Sequence, residues 1–168
     1  MPTAKIDYAV ERQGNVGGTY RRRLDDAFKA LDRLKVEKLP PAVAFIFYFL
    51  ACEKIAKVMV GIRQRKPSQG PRFDKINPRC SDIFKAAEFF GTAHISDDDI
   101  NAIFVGDKIN RFSAYALRNR LFHDFGPWHV KEAQEHAPKL IEAMQRFLKF
   151  RGPIIRRLEA EAHDTTRH

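Results

Sequence analysis

PAVAFIFYFLACEKIAKVMVGIR, residues 41–63, contains an unbroken run of large apolar side chains from Phe45 to Leu50. A helix through this stretch is apolar on every side, so it has no face to give to water. Such a helix belongs at the centre of a bundle, with other helices packed around it. The aromatic run is also compatible with a buried strand. Ala42, Ala44, Ala51 and Ala56 favour helix, as does the Glu53/Lys57 pair, which meets across one turn. The apolar run from Ala42 to Cys52 is too short to cross a bilayer and ends at Glu53-Lys54.

Helical periodicity continues outward in both directions. Upstream, Gly14 and Gly17-Gly18 break any repeat, so residues 1–18 are expected to be a flexible lead-in. Thr19 is placed to cap a helix over residues 19–38, with Leu24, Phe28, Leu31 and Leu34 as its buried stripe. Pro40-Pro41 end it and start the central helix. Downstream, residues 63–78 thread Arg63, Arg65, Lys66, Arg72 and Lys75 among Pro67, Gly70, Pro71 and Pro78, a connector without regular structure.

Ser81 is placed to cap a short helix that closes at Gly91, and Ser96-Asp97-Asp98-Asp99 marks another helix start. Three adjacent carboxylates in a first turn point in different directions, which favours capping over metal ligation. A further helix is expected over residues 107–125, ending at Gly126-Pro127, with Trp128 packing the turn onto the bundle. The last covers residues 136–158, kinked or split at Gly152-Pro153. Its stripe includes Leu140, Met144, Phe147, Leu148 and Leu158. Residues 159–168 are polar and expected to fray. The expectation is an all-α protein, an antiparallel up-down bundle of about five helices forming a single domain over residues 19–158.

At 168 residues, 44% hydrophobic and 30% charged, the chain can bury a real core and is too apolar to be disordered. Its formal net charge of +9 favours an anionic partner, nucleic acid ahead of a membrane surface. The same lysines and arginines could instead simply solvate helix faces. Cys52 and Cys80 lie far apart without metal-site spacing, so free thiols in a reducing compartment are expected. Residues 1–12 carry no apolar segment of the signal-peptide kind, and a cytoplasmic location follows as the expectation. His94, His129, His136, His163 and His168 have no ligand-like spacing.

YALRNRLFHDF, residues 115–125, carries the chemistry. At ~100° per residue on a helix, Asn119 and His123 fall nearly in line, while Arg118 lies about 140° from His123 and needs its long stem to reach the same cleft. Arg118-Asn119 followed by His123 after four intervening residues resembles the signature of the HEPN superfamily, an Arg, commonly followed by Asn, Asp or His, and then a His. His123-Asp124-Phe125 resembles the H-x-Y ending of a subgroup found as toxins beside small nucleotidyltransferases, with Phe125 in place of tyrosine. The arrangement of helices resembles the family over residues 19–158; residue by residue, only the motif does. The resemblance implies a ribonuclease whose site forms between two such helices, with an antitoxin or nucleotidyltransferase as a further partner.

The helix pattern adds its own argument for a pair. Ile109, Phe112 and Ala116 share the face of Asn119 and His123, while Ala114, Leu117, Leu121 and Phe125 form another. Two apolar faces exceed what one monomeric core supplies, which points to a homodimer with both copies of Arg118 and His123 near the two-fold axis.

The chemistry expected of such a site is RNA cleavage without metal or cofactor. An imidazole at His123 takes or delivers the 2′-hydroxyl proton, and the guanidinium of Arg118 stabilises the phosphorane. Asn119 orients His123 or holds a phosphate oxygen. The products are a 2′,3′-cyclic phosphate and a 5′-hydroxyl. Arg120, Arg63, Arg65, Lys66 and Arg72, with Arg21-Arg22-Arg23, are the candidate RNA contacts. A histidine beside arginines near a helix end can also be a plain C-terminal cap. A non-catalytic HEPN-like module that dimerises or binds RNA or protein is the alternative function, and a DNA-binding helical protein a third.

Overall fold

The computed structural model describes residues 16–64 and 78–165. They form seven α-helices: α1 Val16–Leu34, α2 Pro41–Gln64, α3 Cys80–Phe90, α4 Asp97–Phe104, α5 Ala114–Asp124, α6 Pro127–Leu148 and α7 Arg151–Thr165. A single 3-10 turn, Val36–Lys38, links α1 to α2, and no strand occurs among the described residues. The fold is an all-α antiparallel helical bundle.

α2 lies at its centre, against α1, α3, α5 and α6. Phe45, Phe49, Ile55 and Met59 are fully buried, and of its large apolar residues only Val43 and Leu50 are exposed. A chain of tilted and edge-on rings extends the core outward from Phe49 through Phe104 to Phe147 and Phe150. This links α2 to α4, to α6 and to the α6–α7 corner. Cys52 sits where α2 meets α6, its thiol donating to the Met144 carbonyl at 3.6 Å. Burial pushes that thiol's pKa well up, and both cysteines are free.

The helix starts and stops differ from expectation in ways that local chemistry explains. α1 begins at Val16, so Thr19 lies inside it, and its buried residues are Tyr20, Leu24 and Ala27, with Phe28 and Leu31 packed alongside. It stops at Leu34, which is exposed, because Lys35 turns left-handed at φ 49° and lets Val36 fold back into the core. α3 starts two residues early, capped at Arg79 and not Ser81, with Asp82 accepting from the Arg79 N–H. Gly91 closes it at φ 96°, a conformation that only glycine adopts freely.

α4 starts as the sequence indicates. The Ser96 hydroxyl accepts from the Asp99 N–H at 3.2 Å, and the Asp99 carboxylate accepts from the Ser96 N–H at 3.2 Å. Asp99 also receives two hydrogen bonds from Arg146 of α6, at 2.9 and 2.8 Å, and these hold its carboxyl below the usual carboxylate range against the opposing effect of burial. Within the acidic triplet, Asp99 thus both caps α4 and ties it to α6. Among the described residues, no three His, Cys, Asp or Glu side chains are grouped as metal ligands.

The number of helices exceeds five because of the last third of the chain. The segment expected as helix from residue 107 is a turn until Ser113, and Pro127 opens α6 instead of only ending α5. α6 then runs through Pro138 without breaking. The expected split falls at Lys149-Phe150, just before Gly152-Pro153, with Phe150 buried in the corner. α7 continues past residue 158 to Thr165, supported by an Arg157–Glu161 pair and by Arg21 reaching Glu159. No helix among the described residues is long and apolar enough to cross a membrane.

Truncating the centre should cost most. Ile55→Ala, at a fully buried site, is expected to lower unfolding free energy by about 2–5 kcal/mol in urea titration. Leu50→Ala, on the exposed edge of the same helix, should cost about 1 kcal/mol or less. Equal losses would contradict the central placement of α2.

Candidate functional site

The site is built on α5, and Ser113 sets where α5 begins. Its hydroxyl accepts from the Ala116 N–H at 3.1 Å and donates to the Val105 carbonyl at 2.6 Å, in a fully buried position. One side chain thereby caps the helix and pins the turn before it. Asn110 tightens the same turn, its side-chain oxygen accepting from the Phe112 N–H at 2.9 Å. Ala114, Ala116, Leu117 and Leu121 face the core. Ile109 and Phe112 precede the helix, so they do not extend its outer face as the periodicity suggested. That face carries Tyr115, Asn119, Phe122 and His123 instead. Phe125, expected inside, leaves the helix at its C-cap and is 78% exposed.

Arg118 is half-buried, wedged with its guanidinium carbon 5.8 Å from the Phe49 ring centroid and 5.3 Å from that of Phe122. It donates one hydrogen bond, from Nη1 to the Asn119 side-chain oxygen at 2.8 Å, and its buried Nε has no partner. Among the described residues no carboxylate pairs with it. The charge of Arg118 is therefore held in place but not neutralised. Asn119 accepts from Arg118, and no hydrogen bond between Asn119 and His123 occurs among the described residues. His123 is exposed in the last turn of α5.

Arg120 points the other way, about 160° around the helix. It pairs with Asp107, donates to the Arg111 carbonyl and approaches Glu132 of α6 at 3.4 Å. Glu132 is the buried acid of the region, accepting from Arg111 at 2.8 Å and from the Trp128 indole N–H at 3.1 Å. Burial opposes its ionisation, but Arg111, Arg120 and Trp128 outweigh that and leave its carboxyl below the usual range. Arg120 is thus a strut between α5 and α6 and is not free for a phosphate. Trp128, expected to pack the turn, is 62% exposed and joins this cluster only through its N–H.

Of the remaining candidates, Arg63 is exposed at the end of α2. Arg65, Lys66 and Arg72 lie outside the described residues. Arg21 is engaged with Asp25 and Glu159. Sequence reasoning missed Glu132 and Ser113. The signal for Ser113 was a serine directly before Ala-Tyr-Ala-Leu, a plain N-cap pattern. Glu132 gave none, because its importance comes from arginines distant in the chain. No protein-family model matches this chain, and no curated protein or solved structure matches it either.

Two arginines on one helix should therefore respond differently. Glu132→Ala leaves Arg120 its Asp107 and Arg111 partners but removes the acid that Arg111, Trp128 and Arg120 share, and is expected to cost about 2 kcal/mol in urea titration. Arg118→Ala gives up ring contacts worth about 1 kcal/mol. Because the folded-state pKa of Glu132 is depressed, its contribution is full above the unfolded value of about 4.3 and is lost as pH falls through the folded value. Glu132→Gln should flatten that acid limb of the stability curve.

Proposed function

We propose that this chain is a HEPN-type endoribonuclease that cleaves RNA without a metal, by attack of the 2′-hydroxyl on its adjacent phosphate. The observation that carries the proposal is Arg118, a half-buried guanidinium fixed by Asn119 and two aromatic rings, with no partner for its Nε and no paired carboxylate among the described residues. A permanent cation kept free of acids is suited to a phosphate whose charge grows in the transition state. His123, on the same exposed stretch of helix, is within one turn of Asn119 and takes the 2′-hydroxyl proton or returns one to the 5′ leaving oxygen. The 2′-oxygen bonds to phosphorus as the 5′-oxygen leaves, giving a 2′,3′-cyclic phosphate and a 5′-hydroxyl.

One copy offers one arginine and one histidine. The exposed rings of Tyr115 and Phe122 flank them and support a homodimer in which two α5 helices meet and the site is composite. A cytoplasmic toxin or defence component, held by an antitoxin or nucleotidyltransferase partner, is the biological setting of this proposal. A second reading, a non-catalytic HEPN-like module for dimerisation or for binding RNA or protein, is favoured by two features. Phe125 stands where the subgroup has a tyrosine, and His123, exposed in the last turn of α5, has no side-chain partner among the described residues to fix its ring.

The purified protein, incubated in EDTA, should cut labelled RNA and spare DNA of matching sequence, because DNA lacks the 2′-hydroxyl. His123→Ala and Arg118→Ala should each abolish cleavage, and light scattering at micromolar concentration should give a dimer mass. Cleavage retained in either variant defeats the mechanism, and a strictly monomeric mass defeats the composite site.

A further inference from the structure

Beside the residues assigned to cleavage, we propose a base-stacking platform for single-stranded RNA, formed by the rings of Phe112, His136 and Trp128. It rests on the RNA reading above and adds the substrate form, unpaired nucleotides, that this surface would hold.

α6 places Trp128, Glu132 and His136 four residues apart in succession, along one stripe facing the turn that precedes α5. The buried carboxylate of Glu132 is the anchor. It holds the Trp128 indole by its only polar atom at 3.1 Å and Arg111 at 2.8 Å, so the indole is oriented while most of it remains exposed. Phe112, next to Arg111, lies nearly parallel to the His136 ring, with centroids 4.2 Å apart and planes at 20°. Its position is fixed through the Asn110 turn. The rings are therefore ordered before any ligand arrives, which reduces the entropy cost of binding.

Cations accompany these rings. Arg111 lies 5.8 Å from the Phe112 centroid but is committed to Glu132, so Lys131, 5.8 Å from the Trp128 centroid, is the cation available to a phosphate. The centre of a protein–protein interface is depleted of lysine, and its partners are apolar. Unpaired RNA presents both features that this surface complements, a flat π-face and a phosphate beside it. The formal charge of +9 supports the same occupant. The position also fits. Arg118 leaves α5 towards Phe49, whereas the platform adjoins the Arg120 side, just past the corner that follows His123. A dimer formed over Tyr115 and Phe122 would leave the platform at the rim of the composite site.

Trp128 is the only tryptophan in the chain, so its fluorescence reports on this surface alone. The probe is a short single-stranded oligoadenylate of 2′-O-methyl RNA, which binds but lacks the hydroxyl needed for cleavage. Saturable quenching is expected, weakened by salt, with affinity reduced about tenfold in Phe112→Leu, which keeps an apolar side chain but removes the ring. Absence of quenching, equal quenching by duplex RNA, or unchanged affinity in Phe112→Leu overturns the platform. So does a fluorescence shift on protein dilution without RNA, which would place Trp128 under a second copy. Cleavage of ordinary RNA without quenching by the probe removes the platform and leaves the nuclease. Quenching without any cleavage supports the platform while the nuclease falls.

Discussion

A helix that is apolar on all sides cannot exist alone in water, and the architecture follows from how α2 is covered. α1, α3, α5 and α6 each give it an apolar stripe, and each then has an outer face left for charge. The covering is not uniform. α5 is short, contributes alanines and leucines to the core, and leaves its large rings, Tyr115 and Phe122, exposed. The exposed side of this short helix is the one that carries the motif.

The charges on α5 divide along the same geometry. Arg120 is drawn towards the buried acid of α6 and becomes part of the frame. Arg118, nearly opposite, meets only rings and an amide. Alternate positions on one turn thus separate a cation committed to structure from a cation left available. Net charge does not distinguish them, since both are arginines two positions apart. What distinguishes them is which neighbouring helix lies on each side.

The bundle was legible in the sequence because hydrophobic period and apolar continuity are local properties. The central helix was read almost to the residue, and the Ser96 cap was correct because serine followed by aspartates is a strong local signal. The boundaries of α5 and α6 were not. Asp107 to Phe112 contains enough apolar residues to imitate helix, and the turn becomes apparent only when Ser113 is seen bonded to Val105. Gly126-Pro127 reads as a stop in the sequence, yet proline is well suited to the first helical turn it opens. The motif residues were legible as types, but their partners were not. That Asn119 serves Arg118, and that Trp128 stays largely outside, depends on side chains meeting across helices.

Cys52 gives the α2–α6 seam a chemical property of its own. Its sulfur is wholly enclosed and disfavoured as a thiolate, so an alkylating reagent meets an inert group while the two helices are together. Labelling at that position requires the seam to part. The rate of capture at Cys52, read separately from the half-buried Cys80, therefore counts excursions of the innermost layer and sets a clock on how often the central helix is laid bare.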